Sequence, residues 1–179
     1  ETIVATLPER YRLAALLSSW CALRFGELTE LRRLDIDTKT GVIRVRRGVV
    51  RAAGEVIVKA PKTDAGSRDV AIPPHLLPAV REHLLKHTEA GRDGLLFPAA
   101  GGGHMAPSSL YKHFYKAREA AGRPDLRWHD LRHTGAVLAA QTGATLAELM
   151  NRLGHSTAGA ALRYQHATDD RDKILAGEQ

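Results

Sequence analysis

The sequence predicts an α+β domain, mainly α-helical, with a small three-stranded antiparallel sheet inserted after the first helices. Three observations predict it. Apolar residues recur at helical spacing through most of the chain, period-two alternation is confined to residues 42–72, and Gly or Pro pairs mark the changes of period.

The first helix runs from Glu9 to Cys21, where Leu13, Leu16, Leu17 and Trp20 fall at i, i+3, i+4 and i+7. A short helix follows from Glu27 to Arg33, with Leu28 and Leu31 on one side. Three alternating runs come next: Val42 to Arg46, Val56 with Val58, and Val70 with Ile72, the last stopped by Pro73-Pro74. Turns at Ala53-Gly54 and Asp64-Ala65-Gly66 fold these runs into one sheet. Helical spacing returns over Pro74 to Ala90, Ser108 to Ala121 and His129 to Gln141, with a loop over Gly91 to Pro107. Thr145 and Glu148 form a capping box for the next helix, which Gly154 ends. Ser156 or Thr157 caps a last helix reaching about His166.

The length of 179 residues suits one domain, and 44% apolar residues suffice for a core. One cysteine, Cys21, excludes a disulfide framework and multi-cysteine zinc sites. The longest stretch without Asp, Glu, Lys or Arg, Gly94 to Tyr111, is broken by Gly, Pro and His, so no membrane span is expected. No signal peptide is read at the N-terminus, and a reducing, cytoplasmic setting is expected. The chain opens at Glu1 rather than Met, which reads as a fragment.

The net charge of +6 is uneven. Arg44, Arg46, Arg47, Arg51, Lys59, Lys62 and Arg68 face only Glu55 and Asp64 in that segment, whereas residues 1–43 are neutral. Such a basic segment suits a phosphate backbone, though a solvated charged surface explains it as well. On this reading Arg44, Arg46, Arg47, Arg51, Lys59 and Arg68 are candidate DNA contacts.

Several residues could carry chemistry. Continuing the first helical stripe puts Arg24 on its apolar face, where a permanent charge needs a partner, and Glu27 at i+3 can supply one. In His129-Asp-Leu-Arg132-His133, His129 and Arg132 share a face away from Leu131 and Leu138. Both a solvated polar face and a zinc pair are open there, although zinc lacks a Glu at the metalloprotease spacing. His155 lies near a helix N-terminus, where anions are favoured. Tyr164 follows nine residues later and, by itself, is ordinarily a packing residue. Lys62 sits in a turn, where lysines are ordinarily solvated. There is no phosphate-binding Gly-x-x-x-x-Gly-Lys.

Together these features resemble the catalytic domain of the tyrosine recombinases, the phage-integrase and Xer family. Arg24-Phe-Gly-Glu27-Leu resembles the first-arginine box. Pro61-Lys62-Thr63 through Arg68-Asp-Val-Ala-Ile-Pro73 resembles the lysine hairpin. His129-Asp-Leu-Arg132-His-Thr resembles the second box and Leu153-Gly154-His155-Ser156 the third, with Tyr164 at the nucleophile's distance after it. Cys21-Ala22 departs from the Thr-Gly-type pair often found before the first arginine.

The resemblance implies site-specific DNA recombination, integration or excision, without metal or other cofactor, through a 3′-phosphotyrosyl intermediate. Arg24 and Arg132 would hold the phosphate, His155 would donate to it, and Tyr164 would attack. His129 would accept the tyrosine proton, Lys62 would protonate the leaving oxygen, and Glu27 would support Arg24. Residues 1–166 would be the catalytic core and 167–179 a docking tail, with an N-terminal core-binding domain absent from this chain. Implied partners are double-stranded DNA at attachment sites, further copies of the protein in a tetramer, and an accessory DNA-bending protein. A type IB topoisomerase-like activity and a catalytically silent DNA-binding module are the alternatives, with a zinc hydrolase behind them.

Overall fold

The computed structural model describes residues 1–165. Helix α1 (Thr2–Thr6) precedes α2 (Glu9–Trp20) and α3 (Phe25–Glu30). Helix α2 stops because Ala22 takes a left-handed φ of 53°, which breaks the helical ladder. Arg24 therefore does not continue the apolar stripe of α2, as its spacing suggests. It lies in extended backbone, φ −72° and ψ 150°, as the N-cap of α3. Helix α3 also begins earlier than the expected 27–33 and ends at Leu31, whose ψ of 133° is extended.

The sheet differs from expectation in its third strand. Strands β1 (Ile36–Asp37), β2 (Val42–Val45) and β5 (Arg68–Ala71) form one antiparallel sheet in the order β1-β2-β5. Val42 faces Ala71 and Val45 faces Arg68. Strands β3 (Gly48–Ala52) and β4 (Glu55–Lys59) form a separate hairpin. The Val56 and Val58 run thus pairs with the neighbouring 48–52, not with 42–46. The reason is local: Ala53 and Gly54 both have positive φ, 51° and 81°, a two-residue loop that closes a hairpin on its immediate flanks. Ile43, Val45 and Val70 are buried beneath the sheet, whereas Val50, Val56 and Val58 are exposed, so the hairpin stands away from the core.

The rest is helical: α4 (Leu77–Lys86), α5 (Pro107–Ala120), α6 (Trp128–Gln141), α7 (Leu146–Leu153) and α8 (Ala158–Gln165). The capping box forms, with Glu148 Oε2 accepting from the Thr145 N–H at 2.7 Å. The main core joins Leu13 and Leu17 of α2, Leu28 of α3, Ile43 and Val70 of the sheet, Leu110 and Phe114 of α5, and Leu131 of α6. A smaller cluster, Ala22, Ala136 and Leu153, ties the end of α2 to α6 and α7, and Tyr164 of α8 packs against it. That small cluster positions the site. No helix among the described residues is long and apolar enough to cross a membrane. The expected tail, 167–179, lies outside the described residues.

Candidate active site

The site starts from a buried carboxylate. Glu27, in the first turn of α3, accepts from its own N-cap backbone, Arg24 N–H, at 2.8 Å. Its Oε1 also accepts from Arg24 Nη1 at 2.7 Å. From the other side Arg68 holds it with two parallel bonds, Nη1 at 2.9 Å and Nη2 at 3.0 Å. Burial alone would raise the Glu27 carboxyl, but the Arg68 bonds and charge, then Arg24, outweigh it and hold it below its usual value. Arg24 keeps 40% of its side chain exposed, whereas Arg68 keeps none.

Arg68 is therefore buried within the fold rather than on an exposed basic surface, contrary to the charge-based expectation. It faces inward on β5, on the same side as Val70, and it donates to the Arg152 carbonyl at 2.8 Å and the Gly66 carbonyl at 3.2 Å. The sequence carried the signal: Arg68, Val70 and Ile72 lie on the same face of one strand. Arg68 thus joins β5, the end of α7 and α3 around one charge.

Two glycines set the close approaches. A Cβ on Gly26 would meet the Val49 carbonyl oxygen at 2.5 Å, so glycine lets β3 lie against α3. Gly154 ends α7 at φ 62°, and a Cβ there would meet Arg68 Nη1 at 2.7 Å. Its carbonyl accepts from Arg24 Nη2 at 3.0 Å, linking residues 130 positions apart.

Arg132 is buried, not on a solvated face of α6. It donates to the Ala22 carbonyl, to the Leu153 carbonyl at 2.6 Å, and lies 3.3 Å from His155 Nε2. The short turn at Cys21-Ala22 and the end of α7 supply those carbonyls, which is why the charge can be buried. Burial first, then the charge of Arg24, bring Arg132 down to about 10, still fully cationic at neutral pH.

Tyr164 completes the arc. Its ring stacks on His155 at 6.5 Å between centroids. Its hydroxyl is 2.6 Å from Nδ1 of His133. The expected partner, His129, stands behind, edge-on to His133 at 4.7 Å. One helical turn along α6 carries His133, rather than His129, to the hydroxyl. Burial, followed by the charges of His133 and Arg132, lowers the His129 pKa, which favours a neutral ring. Lys62 is exposed and lines the cleft that Arg24, Glu27, Lys59 and Ser156 also line.

The remaining arginines of the basic segment, Arg44, Arg46, Arg47 and Arg51, are engaged within the chain. Arg44 pairs with Asp37 at 3.0 Å and Arg46 with Asp69 at 2.5 Å. Arg47 pairs with Asp35 at 2.6 Å and Glu30 at 3.1 Å. Arg51 donates to the Met105 carbonyl at 2.9 Å. Among the described residues no group of three His, Cys, Asp or Glu could hold a metal.

The Phage integrase family model matches residues 1–171. The chain belongs to the phage integrase family. A prophage phiRv2 integrase of Mycobacterium tuberculosis is 62% identical over 98% of this chain and 48% of its own length. The integrase of Mycobacterium phage D29 is 42% identical over 98% of this chain and 48% of its own. This phage integrase family chain thus spans about half the length of the curated relatives it matches. The Tn1549 transposon integrase, solved with circular intermediate DNA, shares the fold at a TM-score of 0.79 and 22% identity, over 98% of this chain and 63% of its own. XerA recombinase does so at 0.75 and 19%, over 99% and 60%.

Proposed function

We propose that this phage integrase family chain is the catalytic half of a site-specific DNA recombinase that cuts and rejoins strands through a 3′-phosphotyrosyl link on Tyr164. The observation that carries this reading is the gathering of Arg24, Arg132, His155 and Tyr164 from α3, α6, the α7–α8 turn and α8. Two guanidiniums, those of Arg24 and Arg68, hold the single carboxylate of Glu27, and that of Arg132 lies within electrostatic range of it. That surplus of fixed positive charge suits a five-coordinate phosphorus, whose extra negative charge two arginines can stabilise without metal. His155 donates to a non-bridging oxygen, and Lys62, which lines the same cleft as Arg24, protonates the departing 5′ oxygen. One ester replaces another, so no ATP or other cofactor is consumed.

The partner is double-stranded DNA at attachment sites, contacted by Lys59 and by those of Arg44, Arg46, Arg47 and Arg51 that exchange their internal partners for phosphate. The relatives' greater length supports an upstream DNA-clamping domain. Further copies of the protein, as a tetramer, and an accessory bending protein complete the assembly, which works on DNA in the prokaryotic cytoplasm.

The test offers nicked suicide DNA bearing candidate attachment sites to the chain joined to its upstream segment, with EDTA present. A covalent adduct on Tyr164, absent in Tyr164→Phe, is expected. Tight binding with no adduct would mean a silent DNA-binding module. Supercoil relaxation without strand exchange would mean a topoisomerase-like enzyme.

A further inference from the structure

We infer that Arg68 is a positioning residue for the leaving-group acid: the buried guanidinium that fixes Glu27, and with it Arg24, also fixes the loop that carries Lys62; this rests on the reading of Lys62 as that acid. Strand β4 ends at Lys59 and β5 begins at Arg68, so Lys62 sits in the largely exposed connection 60–67. An amine on such a loop protonates one chosen oxygen well only if its backbone is held, because a misplacement of about 1 Å can cost about 10²-fold in rate.

The holding contacts converge on Gly66. Asp64–Gly66 form a short 3-10 turn, closed by the Gly66 N–H donating to the Thr63 carbonyl and the Ser67 N–H to the Asp64 carbonyl, both at 2.9 Å. Gly66 is buried, and a Cβ there would run into the Cβ of Pro61, so the proline lies directly on the glycine. Lys62 is thus bracketed by Pro61 and Thr63, both of which rest on Gly66. Arg68 holds Gly66 in turn: its Nη1 donates to the Gly66 carbonyl at 3.2 Å and to Glu27 Oε1 at 2.9 Å. The turn also meets Gly154, where a Cβ would stand 3.2 Å from the Ala65 carbonyl oxygen and 2.7 Å from Arg68 Nη1. One nitrogen therefore serves both the lysine loop and the carboxylate that holds Arg24. The Arg68 side chain has no exposed surface, so this link between the two catalytic cations is made within the fold and preorganised.

In the step that Arg68 serves, the Tyr164 phenolate oxygen bonds to phosphorus and the bond from phosphorus to the 5′ oxygen breaks. Its electron pair goes to that oxygen, which takes a proton from the Lys62 ammonium and leaves a neutral amine. Rejoining runs the same transfer backwards.

The test measures single-turnover rate constants, which report only folded molecules, for the chain joined to its upstream segment. The nicked DNA carries either oxygen or sulfur at the 5′ bridging position of the scissile link. A thiol of pKa near ~8.5 departs readily as thiolate, so sulfur removes the demand on Lys62. Lys62→Ala should be slowed about 10²- to 10⁴-fold on oxygen and run within a few-fold of the unsubstituted protein on sulfur. Gly66→Ala displaces Pro61 without touching Glu27; it should lose about 10- to 10²-fold on oxygen and recover on sulfur. Arg68→Lys keeps a charge beside Glu27 but not the fork that also reaches Gly66, and should recover at least part of its loss on sulfur. Arg24→Ala, which acts on the phosphate, should stay slow on both. If sulfur rescues Lys62→Ala but neither Gly66→Ala nor Arg68→Lys, or if these two are not slowed on oxygen, the proposal is overturned and the acid stands. Rescue of Gly66→Ala without any rescue of Arg68→Lys also overturns it, since the loop would then be held without the arginine. A Lys62→Ala protein equally slow on both links overturns the reading of Lys62 as the acid, and the proposal with it.

Discussion

Two buried glutamates, three residues apart on the same short helix, have opposite surroundings. Glu27 faces the cleft, with Arg24 half out in solvent, Arg68 beneath it and Arg132 nearby. Glu30 faces the base of the β3–β4 hairpin, where Arg32 at 2.8 Å, Arg47 at 3.1 Å and His104 at 2.5 Å close around it, with Asp35 also bound by Arg47. The Glu30 cluster comes near to balancing its own charges. The Glu27 cluster leaves an excess of cation with one guanidinium exposed. An anion has a place in the second and none in the first, so counting arginines along a sequence says less than asking which carboxylates already hold them.

That contrast can be broken by substitution, and the largest effect belongs to Arg24. Arg24→Ala should lower adduct formation by about 10²- to 10³-fold while leaving the thermal melt nearly unchanged, since Arg24 is partly exposed and Arg68 still neutralises the buried Glu27 carboxylate. Arg68→Met acts on the other side of the same carboxylate. Removing a fully buried partner should cost about 3–5 kcal/mol in urea denaturation. It should also reverse the Glu27 shift: without Arg68, burial prevails and the carboxyl titrates above 4.5 instead of below it, as carboxyl carbon NMR would read.

Acid sharpens the comparison further. Glu27 and Glu30 both have depressed pKa values in the folded chain, so their stabilisation is complete above the unfolded value and fades as pH falls through the folded one. Asp35 is raised, chiefly by burial, so its contribution runs the other way and weakens as pH rises. Glu27→Gln should therefore flatten the stability profile below about pH 4.5 more than a joint Glu30→Gln, Asp35→Asn change does. The smallest effect is expected at Arg44→Ala, where an exposed pair with Asp37 should change stability by less than ~1 kcal/mol.

The residues that the fold gathers into the candidate site, Arg24 with Glu27, Arg132, His155 and Tyr164, were legible because they sit in short segments whose types carry chemistry. The helices were legible from period and caps, as Thr145 with Glu148 and Gly154 show. Arg24 on the stripe of α2 was misread because a positive φ at Ala22, a residue without special turn chemistry, ends the helix. The hairpin was misread because strand partners depend on which loop closes first, and Val49-Val50 lacks the alternation that marks Val42–Arg46 as a strand. Arg132 looked solvated because carbonyls from Ala22 and Leu153 are invisible to side-chain spacing. The hydroxyl of Tyr164 on His133 required knowing how α8 crosses α6.

The most direct test sets Arg24→Ala beside Arg32→Ala in the chain joined to its upstream segment, measuring adduct yield on nicked DNA and melting temperature on each. The open cluster predicts that Arg24→Ala stays folded and stops cleaving, while Arg32→Ala, which loosens Glu30, melts earlier but cleaves normally per folded molecule. Equal loss of cleavage in both, or normal cleavage by Arg24→Ala, would contradict the assignment of the Glu27 cluster as the phosphate site.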